Sequence, residues 1–280
     1  MHIDKGRCVG CANCVPVCPT GAIAVAADGR AAIVLDECVE CSTCYRGLSR
    51  EHLPGWLIRA VRRALKLVRL RFEPDPDVCP TAAITLDTLA WPRTLRAAFS
   101  DPLVPHESTG IGGRGTAEVK TNDVTGRVGE GQAGFVVEFG RPGVGVRFRD
   151  VNTATNALAA AGVTFEENNP VTSLMADVSR GQLRPDVLDE KILSCIVELK
   201  VPLERVPDVL RVVEGVARKV DTVVAVGVST RCDAQGNDPL KDVLTGLGYD
   251  FYRGKVNLGL GRRTNPPAQE AAPSLAGGRS

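Results

Sequence analysis

The chain has 280 residues, enough for two domains with separate cores, and a formal net charge of +1. A charge this close to neutral does not predict a nucleic-acid-binding surface. No apolar run reaches the roughly 18 residues that predict a membrane span, and residues 1–7 lack the apolar stretch of a secretion signal. We therefore expect a cytoplasmic protein with no nucleic-acid partner and no integral membrane segment.

Ten cysteines are unusual for this length, and eight of them fall within the first 79 residues. They form two related sets. The first is Cys8-x-x-Cys11-x-x-Cys14-x-x-x-Cys18-Pro19, and the second is Cys38-x-x-Cys41-x-x-Cys44 with a distant Cys79-Pro80. In the reducing cytoplasm, clustered cysteines predict metal ligands rather than disulfides.

The segments around the last cysteine of each set repeat one another. Residues 17–23 read VCPTGAI and residues 78–84 read VCPTAAI, which identifies Cys79 as the displaced fourth cysteine of the second set. Three thiolates separated by two residues can converge from one tight loop on three corners of a cubane, and a fourth thiolate must arrive from elsewhere. A pair of zinc sites, which usually combine Cys-x-x-Cys pairs or cysteine with histidine, fits two triple-cysteine runs poorly.

This pattern resembles the bacterial two-[4Fe-4S] ferredoxin family over residues 1–90. In that family the Cys-Pro of each motif ligates the cluster of the other motif. The resemblance implies two [4Fe-4S] clusters with crossed ligand sets. One set would be Cys8, Cys11, Cys14 and Cys79, and the other Cys38, Cys41, Cys44 and Cys18.

About thirty residues are inserted before Cys79, because three residues separate Cys14 from Cys18 and 34 separate Cys44 from Cys79. Apolar residues at helical spacing predict a helix within residues 54–72. Its polar face is basic, with Arg59, Arg62, Arg63, Lys66 and Arg69. This face is either a solvated surface or a docking site for an acidic redox partner or an anionic substrate. Binding to a membrane surface is a further alternative.

Residues 91–133 are predicted to be a linker with a Gly-rich loop. Gly110, Gly112 and Gly115 form a literal Gly-x-Gly-x-x-Gly, but a dinucleotide site requires a strand before it and a helix after it. Prolines precede this segment and turn residues follow it. We therefore interpret it as a flexible loop that closes over something, without assigning what it covers.

Residues 134–260 are predicted to form an α+β domain, and residues 261–280 a disordered tail. The predicted elements are strands 135–139 and 144–148 around a Gly-Pro turn, a helix from Asp150 or Asn152 to Ala161, strand 192–201, helix 203–220 and a buried strand 222–228. Helices packed on one sheet suggest an open-faced sandwich of the ferredoxin-like or ACT type. The whole chain is thus predicted to be α+β, and this region resembles no family.

Candidate site residues in the second domain are few. Arg141 in the Gly-Pro turn and Arg231 after the last strand could bind a small anionic ligand, or could simply form surface ion pairs. Cys195 lies in an apolar strand and is expected to be buried. Cys232 follows Arg231, whose charge could lower its pKa, so it is a candidate for a catalytic or sulfur-carrying thiol.

These patterns predict an electron-transfer protein or subunit that passes electrons through two clusters to a partner oxidoreductase or to its own C-terminal domain, in an anaerobic setting. Two alternatives stay open. One is an iron–sulfur enzyme that acts on a small anionic substrate by reduction or sulfur transfer, with Cys232 taking part. The other is a redox-linked regulatory module that binds a metabolite. Whether the chain is an enzyme is left open by its sequence.

Overall fold

The computed structural model describes residues 1–46, 55–68, 79–108, 110, 126–141 and 143–251. The Gly-rich loop beyond Gly110 and the predicted tail 261–280 lie outside the described residues. Within those ranges, no helix combines the length and apolar character needed to cross a membrane.

The described elements are short in the N-terminal region and longer in the C-terminal region. The helices are α1 (Cys14–Val17), α2 (Thr43–Arg46), α3 (Gly55–Leu67), α4 (Thr94–Ser100), α5 (Phe148–Ala160), α6 (Val206–Ala217) and α7 (Pro239–Gly246). The strands are β1 (His2–Ile3), β2 (Ile23–Val25), β3 (Ala31–Ile33), β4 (Ile84–Thr85), β5 (Gln132–Phe139), β6 (Val146–Arg147), β7 (Thr164–Phe165), β8 (Met175–Asp177), β9 (Gln182–Leu183), β10 (Lys191–Ile192), β11 (Cys195–Pro202) and β12 (Val224–Thr230). Single 3-10 turns cover Thr172–Leu174, Val178–Arg180, Pro185–Val187 and Leu203–Arg205.

The N-terminal region is built from two antiparallel strand pairs. β1 pairs with β4, placing Ile3 opposite Ile84, and β2 pairs with β3, placing Ile23 opposite Ile33. Ile3, Ile23 and Ile84 are buried in one small core together with four of the cysteines. Because β4 directly follows the second Cys-Pro, its pairing with β1 brings Cys79 back to the first cysteine motif.

The C-terminal region contains a four-stranded antiparallel sheet in the order β12-β5-β11-β7. Along the chain its elements follow the order β5, α5, β7, β11, α6, β12. This is a β-α-β-β-α-β arrangement in which the first and third strands lie at the centre of the sheet. Cys195 of β11 and Val224 of β12 both lie opposite Phe139 of β5.

One face of this sheet carries the larger hydrophobic core. Phe135, Val137 and Phe139 alternate along β5 on this face and are at most 1% exposed. The buried side chains of α5 and α6, among them Leu158 and Val209, belong to the same cluster. The region is therefore a two-layer structure with both helices on one face.

The first two predicted strands of this region differ from the observed ones. The predicted pair 135–139 and 144–148 is not a hairpin, because β5 lies between β11 and β12 whereas β6 pairs with β10. Phe148 was predicted at the end of a strand but begins α5, which starts before the predicted caps Asp150 and Asn152. Its buried ring packs edge-on against Phe99 at 5.2 Å, so tertiary packing outweighs the local alternation.

The last two strand predictions were only partly correct. The predicted strand 192–201 is interrupted at residues 193–194 and divides into β10 and β11. The predicted buried strand 222–228 is β12, an edge strand in which Val226 is 40% exposed. The apolar residues of this strand predicted that both of its faces would be buried. At the edge of the sheet, however, β12 pairs with β5 alone, and no strand among the described residues covers its other long edge.

The segment predicted as a linker begins with a packed helix. In α4, Leu95 and Phe99 belong to the C-terminal hydrophobic core. Leu193 donates its backbone N–H to Ser100 Oγ at 2.9 Å, and Trp91 Nε1 donates to Asp186 at 2.6 Å. Residues 91–100 are therefore a structural part of the C-terminal region.

The predicted insertion helix is present as α3, from Gly55 to Leu67. Several of its apolar side chains are exposed, including Trp56 at 67% and Leu67 at 87%. Among the predicted basic residues, Arg63 is exposed, whereas the side chains of Arg59, Arg62 and Lys66 and the whole of Arg69 lie outside the described set. The helix is thus amphipathic, with apolar residues at its surface.

Candidate metal centres

The first site is a pocket between the first cysteine motif and Cys79. Its volume is about 310 Å³, including the part that is open to solvent. Its four thiols come from Cys8, Cys11, Cys14 and Cys79, and its other walls are largely apolar. Ala83 donates its backbone N–H to Cys79 Sγ at 3.2 Å. These four cysteines are the first of the two ligand sets expected from the sequence.

The second site is a pocket of about 330 Å³ lined by the remaining four cysteines of the two sets. Cys38, Cys41 and Cys44 come from one loop and α2, and Cys18 comes from the end of the first motif. Four thiols around an apolar pocket are a donor set suited to a [4Fe-4S] cluster in each site. Among the described residues, no group of three or more His, Cys, Asp or Glu side chains is arranged to bind a single metal ion.

Each Cys-Pro segment is tied to the opposite motif by the hydroxyl of one threonine. Thr20 donates its hydroxyl to the carbonyl of Glu37, the residue before Cys38, at 3.0 Å. Thr81 donates to the carbonyl of Arg7, the residue before Cys8, at 2.7 Å. These equivalent hydrogen bonds hold each fourth cysteine beside the other triple-cysteine loop.

Both loops share an unusual backbone conformation. The residues on either side of the second cysteine have positive φ in both motifs, at Gly10 and Ala12 and at Glu40 and Ser42. Only one of these four is glycine, so three side chains occupy the left-handed region, which costs about 1–2 kcal/mol each. Left-handed residues turn successive backbone N–H groups into a concave surface that binds anionic groups, including iron–sulfur clusters. Strain of this kind concentrates at functional sites.

Burial controls the chemistry of the thiols. It raises the pKa of Cys14 to about 11 and that of Cys44 to about 12, with neighbouring cysteines adding to the effect. Burial also raises the pKa of Cys38. These thiols are therefore protonated at neutral pH until a cationic metal centre displaces their protons.

The second site lies against the C-terminal region. Glu37 forms ion pairs with Lys191 and, at 3.1 Å, with Arg147. Arg147 also pairs with Asp36 at 2.6 Å, and its hydrogen bond lowers the pKa of that carboxyl. A hydrogen bond from Lys191 lowers the pKa of Glu37 in the same way.

The Gly-Pro turn of the C-terminal domain lies beside the same site. A Cβ atom placed on Gly143 would lie 3.2 Å from the carbonyl oxygen of Pro19, and one placed on Gly145 would lie 3.5 Å from Thr20. The residues that follow Cys18 are therefore in close contact with this turn.

The structure does not bring the two candidate anion-binding arginines together. Arg141 follows β5, is 57% exposed and lies 3.6 Å from Glu138. Arg231 follows Thr230, which is paired with Ala133 at the opposite end of β5. Six residue steps of about 3.3 Å separate these ends by about 20 Å, so the two arginines cannot bind one small anion.

The two C-terminal cysteines occupy different environments. Cys195 is fully buried in β11, as its apolar surroundings predicted. Cys232 is exposed and follows β12 at the sheet end away from Gly143 and Gly145. It therefore lies far from the second cysteine pocket along the sheet, and its role as a reactive thiol remains a prediction.

Sequence reasoning missed several residues that shape the two sites. Thr20 and Thr81 were visible as the repeated Cys-Pro-Thr, a signal that could have identified them. No local pattern indicated Arg93, which precedes α4, or Arg96 of α4, because their acceptors in the second cysteine loop lie more than fifty positions earlier in the chain.

Comparisons with known proteins agree with this geometry over the N-terminal region. A family model described as a 4Fe-4S binding domain matches residues 1–24, which include the first four cysteines. The "Ferredoxin-like protein in vnf region" of Azotobacter vinelandii is 50% identical over 42 residues, covering 15% of this chain and 63% of that protein. The chain thus spans less than two thirds of the curated relative that it matches. No solved structure matches the chain.

The cysteine motif, the pockets and the two matches concern the same part of the molecule, and neither match reaches the four-stranded sheet. The N-terminal region of the chain therefore contains a ferredoxin-like 4Fe-4S binding domain, whereas the C-terminal region is not recognised.

Proposed function

We propose that this chain is an electron-transfer protein or subunit with two [4Fe-4S] clusters. Cys8, Cys11, Cys14 and Cys79 hold the first cluster, and Cys18, Cys38, Cys41 and Cys44 hold the second. The observation that carries the proposal is the presence of two pockets, each lined by four cysteines drawn from both motifs. Each cluster supplies one-electron oxidation and reduction.

The residues around the two sites have definite tasks in this proposal. The apolar walls limit water around each site, and Ala83 donates a hydrogen bond to Cys79 Sγ. Thr43 Oγ1 lies 3.2 Å from Cys41 Sγ. Burial and hydrogen bonds to thiolate sulfur are the means by which a protein adjusts cluster potential.

The direction of transfer follows from where the sites lie. The second site contacts the C-terminal domain through Arg147, Lys191 and the turn that contains Gly143. Electrons enter at the first site and leave through the second, toward that domain or a partner bound beside it. The C-terminal domain is a ferredoxin-like or ACT-type sandwich, a proposal supported by its β-α-β-β-α-β order.

Iron analysis and EPR spectroscopy test this proposal. The anaerobically purified wild-type chain should contain about eight irons and eight sulfides, and dithionite reduction should produce the spectrum of two interacting clusters. The Cys79→Ser variant should retain the second cluster and lose the first. Zinc in place of iron, or a single cluster that is indifferent to Cys79, would contradict the proposal.

The basic helix α3 is proposed as the docking site for an acidic redox partner. Its exposed apolar residues Trp56 and Leu67 lie on the same short helix as Arg63, which matches the apolar centre and polar rim of protein interfaces. A positive surface raises the association rate of a negatively charged partner, and salt weakens the effect.

Charged small acceptors test whether electrons leave near this helix. Ferricyanide should oxidise the reduced wild-type protein faster than it oxidises the Arg63→Glu variant, and high salt should remove the difference. The cationic acceptor hexaamminecobalt(III) should show the opposite preference. Equal rates for both proteins with both acceptors would place the exit of electrons elsewhere.

A further inference from the structure

Arg96 of α4 is a buried arginine that connects the two domains at the second site. Its side chain is 4% exposed. Nη1 donates to the backbone carbonyls of Leu35 at 3.2 Å, Asp36 at 2.8 Å and Cys38 at 2.9 Å. One guanidinium nitrogen thus holds three carbonyls of the segment that leads into the second cysteine motif, including the carbonyl of a proposed ligand.

The guanidinium group of Arg96 is held in a defined orientation. Its Nε atom donates to Glu190 on the C-terminal side, whereas Nη1 faces the cysteine loop. The guanidinium group therefore lies between the Glu190 carboxylate and the loop. Arg96 and Glu190 form an ion pair, and the positive end of this pair faces the cysteine loop, because Nη1 donates to the Cys38 carbonyl. In a buried environment this positive end acts on a nearby redox centre with little screening.

Neighbouring contacts hold Arg96 in this position. Phe99, one turn further along α4, packs edge-on against Phe148 at 5.2 Å and anchors the helix in the C-terminal core. Arg93, one turn earlier, donates to Glu40 of the same cysteine loop at 2.6 and 2.9 Å. The helix therefore joins the loop to the C-terminal core along one face.

The first site is held differently. In the part of the chain that the structure describes, the hydrogen bonds around it join N-terminal residues, such as Thr81 to Arg7 and Cys8 to Asp4. Reduction adds negative charge to a cluster, so a buried cation beside one of two clusters favours reduction of that one.

We propose that Arg96 is a positioning residue that fixes the loop of the second cluster on the C-terminal domain and raises the potential of that cluster relative to the first. This inference rests on the two-cluster function proposed above. It makes the second cluster the electron acceptor within the chain.

The test is a redox titration of the full chain followed by EPR, with the second cluster's signal identified as the one that remains in Cys79→Ser. In Arg96→Gln, the ratio of reduced to oxidised second cluster at a fixed solution potential should fall about tenfold, a shift of about 59 mV for a one-electron couple. The first cluster should not shift.

Arg205→Gln is the matched control. Arg205 also donates to a carboxylate, that of Asp208 at 2.9 Å, and to a backbone carbonyl, that of Ala161 at 3.1 Å. It follows β11 at the sheet end that carries Gln132, away from the second site. Neither cluster should change its potential in this variant.

A more conservative variant separates the effect of charge from that of geometry. Arg96→Lys keeps the charge, but an ammonium group cannot reproduce the planar set of donors that bridges three carbonyls. The second cluster should stay within about threefold of its wild-type ratio, a shift of under about 30 mV. It should nevertheless lose iron to a chelator several-fold faster than the wild type.

If Arg96→Gln keeps two clusters with unchanged potentials, the charge of Arg96 does not raise the potential of the second cluster. If Arg96→Lys releases iron at the wild-type rate, Arg96 does not hold the loop of that cluster in position. A chain with fewer than two clusters would instead contradict the function on which the inference rests, so the two failures are distinguishable. If Arg96→Gln does not retain the second cluster, the potential and the rate of iron release in Arg96→Lys decide whether Arg96 acts as proposed.

Discussion

The two cysteine sites are built from the same repeated segment but lie in different surroundings. The first is closed within the N-terminal region, where Thr81 ties Cys79 to the first motif. The second faces the C-terminal domain, which contributes Arg96, Arg147 and Lys191 to its cysteine loop. A repeat in sequence therefore produces two chemically unequal sites, because the contacts from the C-terminal domain found among the described residues reach the second site.

The difference indicates how a small electron carrier can be joined to a second domain. The ligand geometry is local and is set by cysteine spacing, prolines and positive-φ residues. The environment that adjusts the potential is distant in sequence, and here it comes from a short helix that follows the ferredoxin-like region. Variants that affect one site and not the other test this view.

The largest effect is expected from the pair Cys79→Ser and Cys18→Ser. Each should lower the iron content from about eight to about four per chain, because each removes one ligand from one cluster. Only Cys18→Ser should also lower the melting temperature of the C-terminal domain, since Pro19 and Thr20 contact the turn with Gly143 and Gly145. Iron analysis and thermal unfolding monitored by circular dichroism measure both effects. Equal melting temperatures in the two variants would show that the sites are equally independent of the C-terminal domain.

The next largest effect is expected from Phe99→Ala. Removing this buried ring should cost about 3–5 kcal/mol of folding stability and loosen α4 from the C-terminal core. The second cluster should then lose iron to a chelator faster than the first. Leu158→Ala is the control, because Leu158 is equally buried but lies on α5. Preferential loss of the second cluster in both variants would mean that general destabilisation, and not α4, holds the site.

A smaller effect is expected from Gly143→Ala compared with Gly162→Ala. Both glycines have positive φ, so each substitution should cost about 1–2 kcal/mol. A Cβ on Gly143 would also lie 3.2 Å from the carbonyl oxygen of Pro19, whereas a Cβ on Gly162 would meet nothing within 4 Å. Only Gly143→Ala should therefore change the EPR spectrum of the second cluster. An unchanged spectrum would show that this contact does not transmit strain to the ligands.

The smallest effect is expected from Asp150→Asn. Burial raises the pKa of Asp150, and repulsion from Asp221 adds to the shift. Because the folded pKa lies above the unfolded value, ionisation of Asp150 costs stability as pH rises through this range. The variant should melt slightly above the wild type at neutral pH, and the difference should shrink near about pH 4. Calorimetry at both pH values measures this, and a difference independent of pH would exclude the charge as its cause.

Some elements of the fold could be predicted because they depend on the pattern of apolar residues and glycines within a short stretch of sequence. The end of α5 before Gly162 and most of α6 follow from apolar periodicity and a glycine with positive φ. The two triple-cysteine motifs could be predicted for the same reason, since thiolate spacing within a tight loop is a local property. The assignment of Cys18 and Cys79 to opposite motifs instead came from the repeated Cys-Pro segment and the resemblance to two-cluster ferredoxins. Phe148 was assigned wrongly because its ring packs against a helix fifty residues earlier, which no local window contains.

The sequence by itself determined the two triple-cysteine motifs, the repeated Cys-Pro-Thr and the α+β character of the rest, because each depends on neighbouring residues. Only the tertiary structure decided the order of the strands, the separation of Arg141 from Arg231 and the contact of one cysteine site with the C-terminal domain. The physical reason is that these features depend on long-range pairing, such as Arg96 with carbonyls about sixty positions away. Burial and charge at the second site come from such contacts, and spacing along the chain does not reveal them.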